Sequence, residues 1–262
     1  MSRSIFHLLA LLIAIFAASA AAAADIKVMI SAGFFNVYAQ LGPAFEKSTG
    51  HKLVTTRGPS LGDSPEAIPT RLGRGEQADV LIMDGHGTDI LDQRGLTQPN
   101  SRVPLAESFI GMVVRAGQPK PDISTVEGLR KALLAAKSIA YSDSSSGTYL
   151  STVGFKKLGV ADEIAGKTRK VRGPPSGEPV AAVVARGEAE IGFQQVAELI
   201  HVAGTDFVGT VPAGIQPPTF FVGVLPKGSQ QPDAAVALLR FLSSAEAAAV
   251  ITKAGLKPLA AR

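Results

Sequence analysis

The chain contains no cysteine, no tryptophan and only three tyrosines in 262 residues. Without cysteine it forms no disulfides, thiolate zinc sites or iron–sulfur ligation, and it has no cysteine nucleophile. Without tryptophan and with so little tyrosine it lacks the aromatic platform on which nucleic-acid bases stack, so no nucleic-acid partner is expected. Only 18% of the residues are charged and 6% aromatic, and no block of like charge interrupts the chain. No Gly-x-Gly-x-x-Gly phosphate loop occurs, and Ser-His-Asp nucleophilic chemistry is not expected. His51 and His201 have no acids at ligand-like spacing, so neither a metal nor a cofactor is expected.

Hydrophobic residues make up 46% of the chain, enough for a core in one large domain or two of roughly 100–130 residues without a covalent staple. The strongest apolar run is at the start. Arg3 supplies a positive charge, Ile5 to Ala18 is interrupted only by His7, and Ala17 to Ala24 offers small-x-small cleavage points. Residues 1–24 read as a secretory signal peptide, cut between Ala20 and Asp25, which sends the product to the periplasm. The run is short for a membrane span of about 20 residues. The formal charge is +4, and the leader holds one basic residue and no acidic one. That mild positive balance favours small anionic ligands.

From Asp25 onward, strand-like and helix-like segments alternate. Ile26–Ile30 ends at Ser31-Ala32-Gly33, and a helical period follows from Phe34 to Lys47. Next come a strand ending near Thr56, the turn-rich Arg57–Pro65 loop, and the buried-type strand Ala78–Met83 that stops at Asp84-Gly85-His86-Gly87. A second such unit runs from Ile110 to about residue 205. It includes the strand Ser138–Tyr141, which enters Ser142–Thr148, and the strand Ala189–Phe193. This alternation predicts an α/β fold. In such sheets ligands sit at the carboxyl ends of strands. The loops Ser31–Asn36, Arg57–Ser64 and Met83–Gly87 are therefore expected to converge.

Several residues in these loops suit work on an anion. The hydroxyls of Ser145, Ser146 and Thr148 open a helix, where free N–H groups favour negative charge; Ser146 or Thr148 would serve equally as a plain helix cap. Arg57 can clamp a carboxylate through two parallel hydrogen bonds, or form a surface ion pair. His86 has the ordinary pKa of a neutral-pH proton carrier, although a lone histidine also serves structural roles. Asp143 and Glu178 are reserve acid–base groups, and as a first-turn acid Glu178 needs no function.

Four segments carry a family likeness: Ala44–Gly50, Arg71–Val80, Phe155–Val160 and Val183–Gly192. In order and spacing they resemble the type 2 periplasmic solute-binding proteins of the molybdate-binding branch, over essentially the whole chain after the leader. The resemblance implies two α/β lobes with a ligand cleft between them. Lobe 1 is expected to be discontinuous, residues 25–109 and 208–262, with lobe 2 formed by 110–207. It places Ser31, Gly33, Arg57, Ser60, Ser64, Gln194 and Gln195 at ligand positions. Three departures from the molybdate pattern stand out. Gly33 occupies the position of a ligand serine, the second loop gains Arg57, and Gln194-Gln195 replaces a tyrosine. They favour a larger, carboxylated ligand over a small tetrahedral oxyanion.

Two function classes follow. One is an isomerase on the binding-protein fold, similar in length and leader to the aconitate isomerase branch, which moves a proton across a three-carbon unit of a tricarboxylate. The other is a non-catalytic receptor for molybdate, another oxyanion or an organic acid, which would need an ABC permease as partner.

Overall fold

The computed structural model describes residues 23–62 and 64–259. The predicted leader lies almost wholly outside the described residues. Eleven strands are described: β1 (Asp25–Ile30), β2 (Lys52–Arg57), β3 (Val80–Asp84), β4 (Val103–Ser108), β5 (Ile110–Arg115), β6 (Ile139–Ser142), β7 (Thr168–Val171), β8 (Ile191–Gln195), β9 (Thr205–Thr210), β10 (Thr219–Val224) and β11 (Lys257–Pro258). They form two sheets, ordered β11-β4-β10-β3-β1-β2 and β7-β6-β8-β5-β9. Each sheet is built around three parallel strands, with β1 central in the first and β6 in the second. An antiparallel strand completes each set, β10 beside β3 and β5 beside β8. The fold is the predicted α/β class with two lobes.

Local sequence explains the elements. β3 is buried along its whole length, so it reads as a continuous apolar run, as parallel strands covered on both faces do. The helix Ala32–Thr49 buries Phe34, Val37, Tyr38, Leu41 and Phe45, a spacing of three and four that places them on one face. It stops at Gly50, whose φ of 77° lets its N–H reach the Glu46 carbonyl. In the first lobe Phe34, Phe45, Ile26, Ile30, Val80, Ile82 and Leu238 share one core. Met112, Leu133, Ile139, Phe155 and Phe193 form the other. Burying each of these large side chains contributes about 1.5–3 kcal/mol.

Two strands are not legible in the sequence. β4 contains Pro104, which the structure tolerates because the pairing with β10 shifts register there. β9 is a polar strand that pairs with β5 along its whole length. The expected lobe boundary at 207/208 therefore falls inside a strand of the second sheet. The chain passes between sheets at Phe109 and again over residues 211–218.

Gln195 joins both passages. Its Oε1 accepts from Ser108 Oγ at 2.7 Å, and its Nε2 donates to Thr219 Oγ1 at 3.0 Å. Gln216 reinforces the crossing, accepting from the Ile110 N–H at 2.7 Å and donating to the Val211 carbonyl at 2.7 Å.

Candidate functional site

The carboxyl ends of both parallel sets face the same cleft. From the first lobe, β1 runs into Ser31, β2 ends at Arg57 and β3 ends at Asp84. From the second, β6 runs into Asp143–Ser146, β7 into Gly173-Pro174, and β8 ends at Gln194-Gln195. A narrow cavity between them is lined by Ser31, Ser60, Asp84, Asp143, Ser145, Ser146, Gln194, Gln195, Glu198 and Phe221, among others. It shares Asp84, Ser145 and Ser146 with a wider cavity of about 1030 Å³ that is walled by His86, Thr148, Tyr149 and Phe220. Across the cleft, Ser176 Oγ donates to Glu66 Oε2 at 2.6 Å.

Three buried polar atoms at these strand ends have no partner among the described residues: Ser31 Oγ and Ser145 Oγ, which line the narrow cavity, and Arg57 Nε, which lies on neither cavity wall but acts electrostatically on Glu198. Leaving such groups unpaired costs about 1–3 kcal/mol each, so they point to a ligand that pairs with them. Ser31 stands at the helix N-cap position without capping it, so its hydroxyl is free. Arg57 lies over the Phe35 ring, 3.9 Å from the guanidinium carbon to the centroid. Stacking fixes the plane of the fork while leaving its N–H edge free. Burial lowers the pKa of Arg57 and the charge of Glu198 acts against that shift, yet a guanidinium stays protonated.

The remaining predicted residues divide. Ser60 is buried and its Oγ accepts from the Asp84 N–H at 2.9 Å. Although nucleophilic serine chemistry is not expected from the sequence, Gly58-Pro59-Ser60-Leu61-Gly62 does have the Gly-x-Ser-x-Gly spacing of a nucleophile elbow around Ser60. Its hydroxyl is instead committed to holding Asp84. Ser146 Oγ pairs with Ser142 Oγ at 2.9 Å. Gly147 allows this turn to close, because a Cβ there would lie 1.7 Å from the Ser142 carbonyl oxygen. Asp143 lines the cavity and its Oδ1 accepts from the Gly173 N–H at 3.0 Å.

Of the remaining candidates, Ser64 and Glu178 line neither cavity, which corrects the expectation for those two, while Gly33, His86 and Thr148 do line one. Gly33 is glycine because of packing, since a Cβ would lie 2.2 Å from the Phe221 ring; the free hydroxyl comes from Ser31. Glu178 is half-buried at the surface, held by Arg186 through two contacts of 2.6 Å, and that pairing lowers its pKa. Ser64 accepts from the Glu66 N–H at 3.1 Å and lines neither cavity. His86 and Thr148 are exposed on the wider cavity, not the narrow one. Asp84 Oδ1 accepts from the backbone N–H of His86 and of Gly87, which starts the helix at Gly85 and leaves the imidazole in solvent.

Gln194 and Gln195 do line the cavity, but both amides are engaged within the protein. Gln194 Oε1 accepts from the Val180 N–H at 2.9 Å and its Nε2 donates to Glu198 Oε1 at 2.6 Å. Glu198 is absent from the sequence-based candidates. It stands in the short helix Val196–Leu199, and desolvation pushes its pKa up to about 8, with Gln194 and Arg57 lowering it and Asp143 raising it. The signal available in the sequence is an acid four residues after a strand-end glutamine, in the helix turn that follows.

Residues 26–257 match the family described as bacterial extracellular solute-binding protein. The chain belongs to this family. Among relatives of this solute-binding protein is an aconitate isomerase from a Pseudomonas species, 44% identical over 237 residues, covering 90% of this chain and 89% of that one. The molybdate-binding protein ModA of Azotobacter vinelandii is 30% identical over 261 residues, covering 97% and 98%. The solved structure of the Azotobacter vinelandii periplasmic molybdate-binding protein superposes with a TM-score of 0.69 at 23% identity, covering 88% of this chain and 98% of that one. Peb3 from Campylobacter jejuni superposes at 0.63 with 15% identity, covering 89% and 99%. These two structures share the fold of this solute-binding protein.

Proposed function

We propose that this protein is an aconitate isomerase, interconverting trans- and cis-aconitate by an allylic proton shift in the cleft. The 44% identity to an aconitate isomerase over nine-tenths of the chain carries the reading, and the cleft's chemistry supports it. Ser31, Arg57 and Ser145 offer free donors for carboxylates, with Ser60, Ser146, Gln194 and Gln195 shaping the walls. The narrow cavity, which Ser31 and Ser145 line, holds three acidic side chains, Asp84, Asp143 and Glu198. A receptor that only holds an anion gains nothing from carboxyl groups against its ligand, because like charges repel. An enzyme that must move a proton needs one. The tricarboxylate is larger than the narrow cavity, so it enters as the lobes part and reacts when they close.

Residues 1–24 act as a cleaved leader in this reading, and the enzyme works in the periplasm. Lobe 1 comprises residues 25–109 with the chain after the second crossing, and lobe 2 the segment between. The relationship to molybdate-binding proteins favours a second reading, a transport receptor with an ABC permease. Turnover separates the two. Purified protein is incubated with trans-aconitate and the isomers are resolved by chromatography. Conversion to the cis isomer is expected. Tight binding with no conversion and no exchange of methylene protons with deuterated water favours the receptor.

A further inference from the structure

A proton carrier in this cleft must be free to change its charge while facing the ligand. Of the three carboxyl groups in the narrow cavity, two are tied to backbone donors. Asp84 Oδ1 takes the N–H groups of His86 at 2.8 Å and Gly87 at 3.3 Å, so adding a proton there weakens a helix cap. Asp143 Oδ1 is likewise occupied by a backbone donor, the Gly173 N–H. Glu198 differs. Among the described residues its hydrogen bond comes from one neutral side chain, the Gln194 amide, on Oε1. Its Oε2, like Oδ2 of the two aspartates, has no hydrogen-bond partner among them, and it lines the cavity as they do; what sets it apart is that no backbone donor holds it in the charged form.

We infer that Glu198 is the catalytic acid–base group, taking a proton from one carbon of the substrate and returning it to another. This rests on the aconitate reading of the cleft. Oε2 of the ionised carboxylate removes a proton from the methylene carbon. The electron pair left behind spreads over the three-carbon unit and its carboxylates. The double bond moves toward the carbon that lost the proton, and the conformation held at that moment sets its cis or trans geometry. Oε2–H then returns the proton to the former vinyl carbon. Atoms and electrons balance with no co-reactant. Arg57, Ser31 and Ser145 hold carboxylates and stabilise the charge that spreads onto them.

The surroundings suit the task. The charged groups acting on Glu198 are Arg57 from the opposite lobe and Asp143 from its own, and Asp84 shares the cavity. Burial outweighs the cation and moves the group toward neutral pH, which makes it a stronger base than an exposed carboxylate. His86, the only histidine on either cavity wall, has its ring in solvent.

The test compares the wild type with Glu198→Gln, Glu198→Asp and His86→Gln, following trans-aconitate binding by calorimetry, isomer conversion by chromatography, and methylene exchange in deuterated water by NMR. Glu198→Gln is expected to bind within about tenfold of the wild type while conversion and exchange fall by at least about 10²-fold. Glu198→Asp is expected to keep a measurable fraction of the rate. Wild-type kcat/KM is expected to rise with pH toward a plateau above about 8. Normal turnover in Glu198→Gln overturns the assignment, as does loss of turnover in His86→Gln alone. Should Glu198→Gln fail to fold, the wild-type profile decides, and a flat rate from about pH 6 to about pH 9 overturns it. A folded wild type that binds aconitate but neither converts nor exchanges it removes the aconitate reading itself, and Glu198 with it.

Discussion

Gln194 Nε2 donates to Glu198 Oε1 at 2.6 Å, while the other end of the same amide accepts from the Val180 backbone N–H at 2.9 Å. The side chain is thus a fixed spacer between the start of one helix and an acid in the cleft. A glutamine suits the place because it accepts at one end and donates at the other. It also carries no charge of its own into a site meant for an anion.

That arrangement has a thermal signature. A carboxyl group whose folded pKa is raised favours folding in its protonated form. Its penalty is absent below the unfolded pKa of about 4.3 and grows as pH rises toward the folded value. Glu198, pushed up to about 8, therefore makes the empty protein less stable across that interval. Glu198→Gln removes the penalty. Its melting temperature is expected to match the wild type near pH 4 and to exceed it by a margin that grows up to about pH 8 and then levels off. Melting curves by circular dichroism check this, and a difference that shrinks with rising pH contradicts it.

The unpartnered donors predict a graded loss of binding. Arg57→Gln is expected to weaken tricarboxylate binding by about 2–5 kcal/mol, because the ligand carboxylate loses a charged partner. Ser31→Ala and Ser145→Ala are expected to cost about 1 kcal/mol each, one neutral hydrogen bond apiece. Calorimetric titration of each variant measures the order. An Arg57→Gln variant that binds as tightly as wild type takes Arg57 out of the site.

Gln195 predicts a stability effect with a mechanical cause. Gln195→Leu leaves Ser108 Oγ, on a residue only 1% exposed, without its acceptor at the first crossing, and leaves Thr219 without its donor at the second. A loss of about 1–3 kcal/mol is expected, read by urea denaturation. Unchanged stability means that the crossings do not depend on this bridge.

Much of the site was legible because its residues sit where one kind of local structure gives way to another. Ser31, Arg57, Ser60 and Ser145 each lie at or just beyond the end of a strand, and small or turn-forming residues mark those ends. Ser64 and Glu178 are near the same ends but on neither cavity, while Gly33 lines the narrow cavity and His86 the wider one. A neighbour decides each case: Phe221, far along the chain, against Gly33, and closer by, the Glu66 N–H on Ser64, Asp84 beneath the His86 backbone, and Arg186 beside Glu178.

Glu198 shows the opposite limit. In sequence it is one acid in Val196-Ala197-Glu198-Leu199, set apart from a solvated helix residue only by its place four residues after a strand-end glutamine. The short helix packs against Ala32–Thr49 of the other lobe, where Asn36 Nδ2 donates to the Ala197 carbonyl at 3.0 Å. That contact helps to enclose the acid beside Arg57. The sequence by itself determined the α/β alternation, the strand ends and most of the donors, because each segment's apolar period and turn residues act locally. Only the tertiary structure decided which side chains lose water and which charges face each other, because desolvation and Coulomb interaction depend on neighbours more than a hundred residues away along the chain.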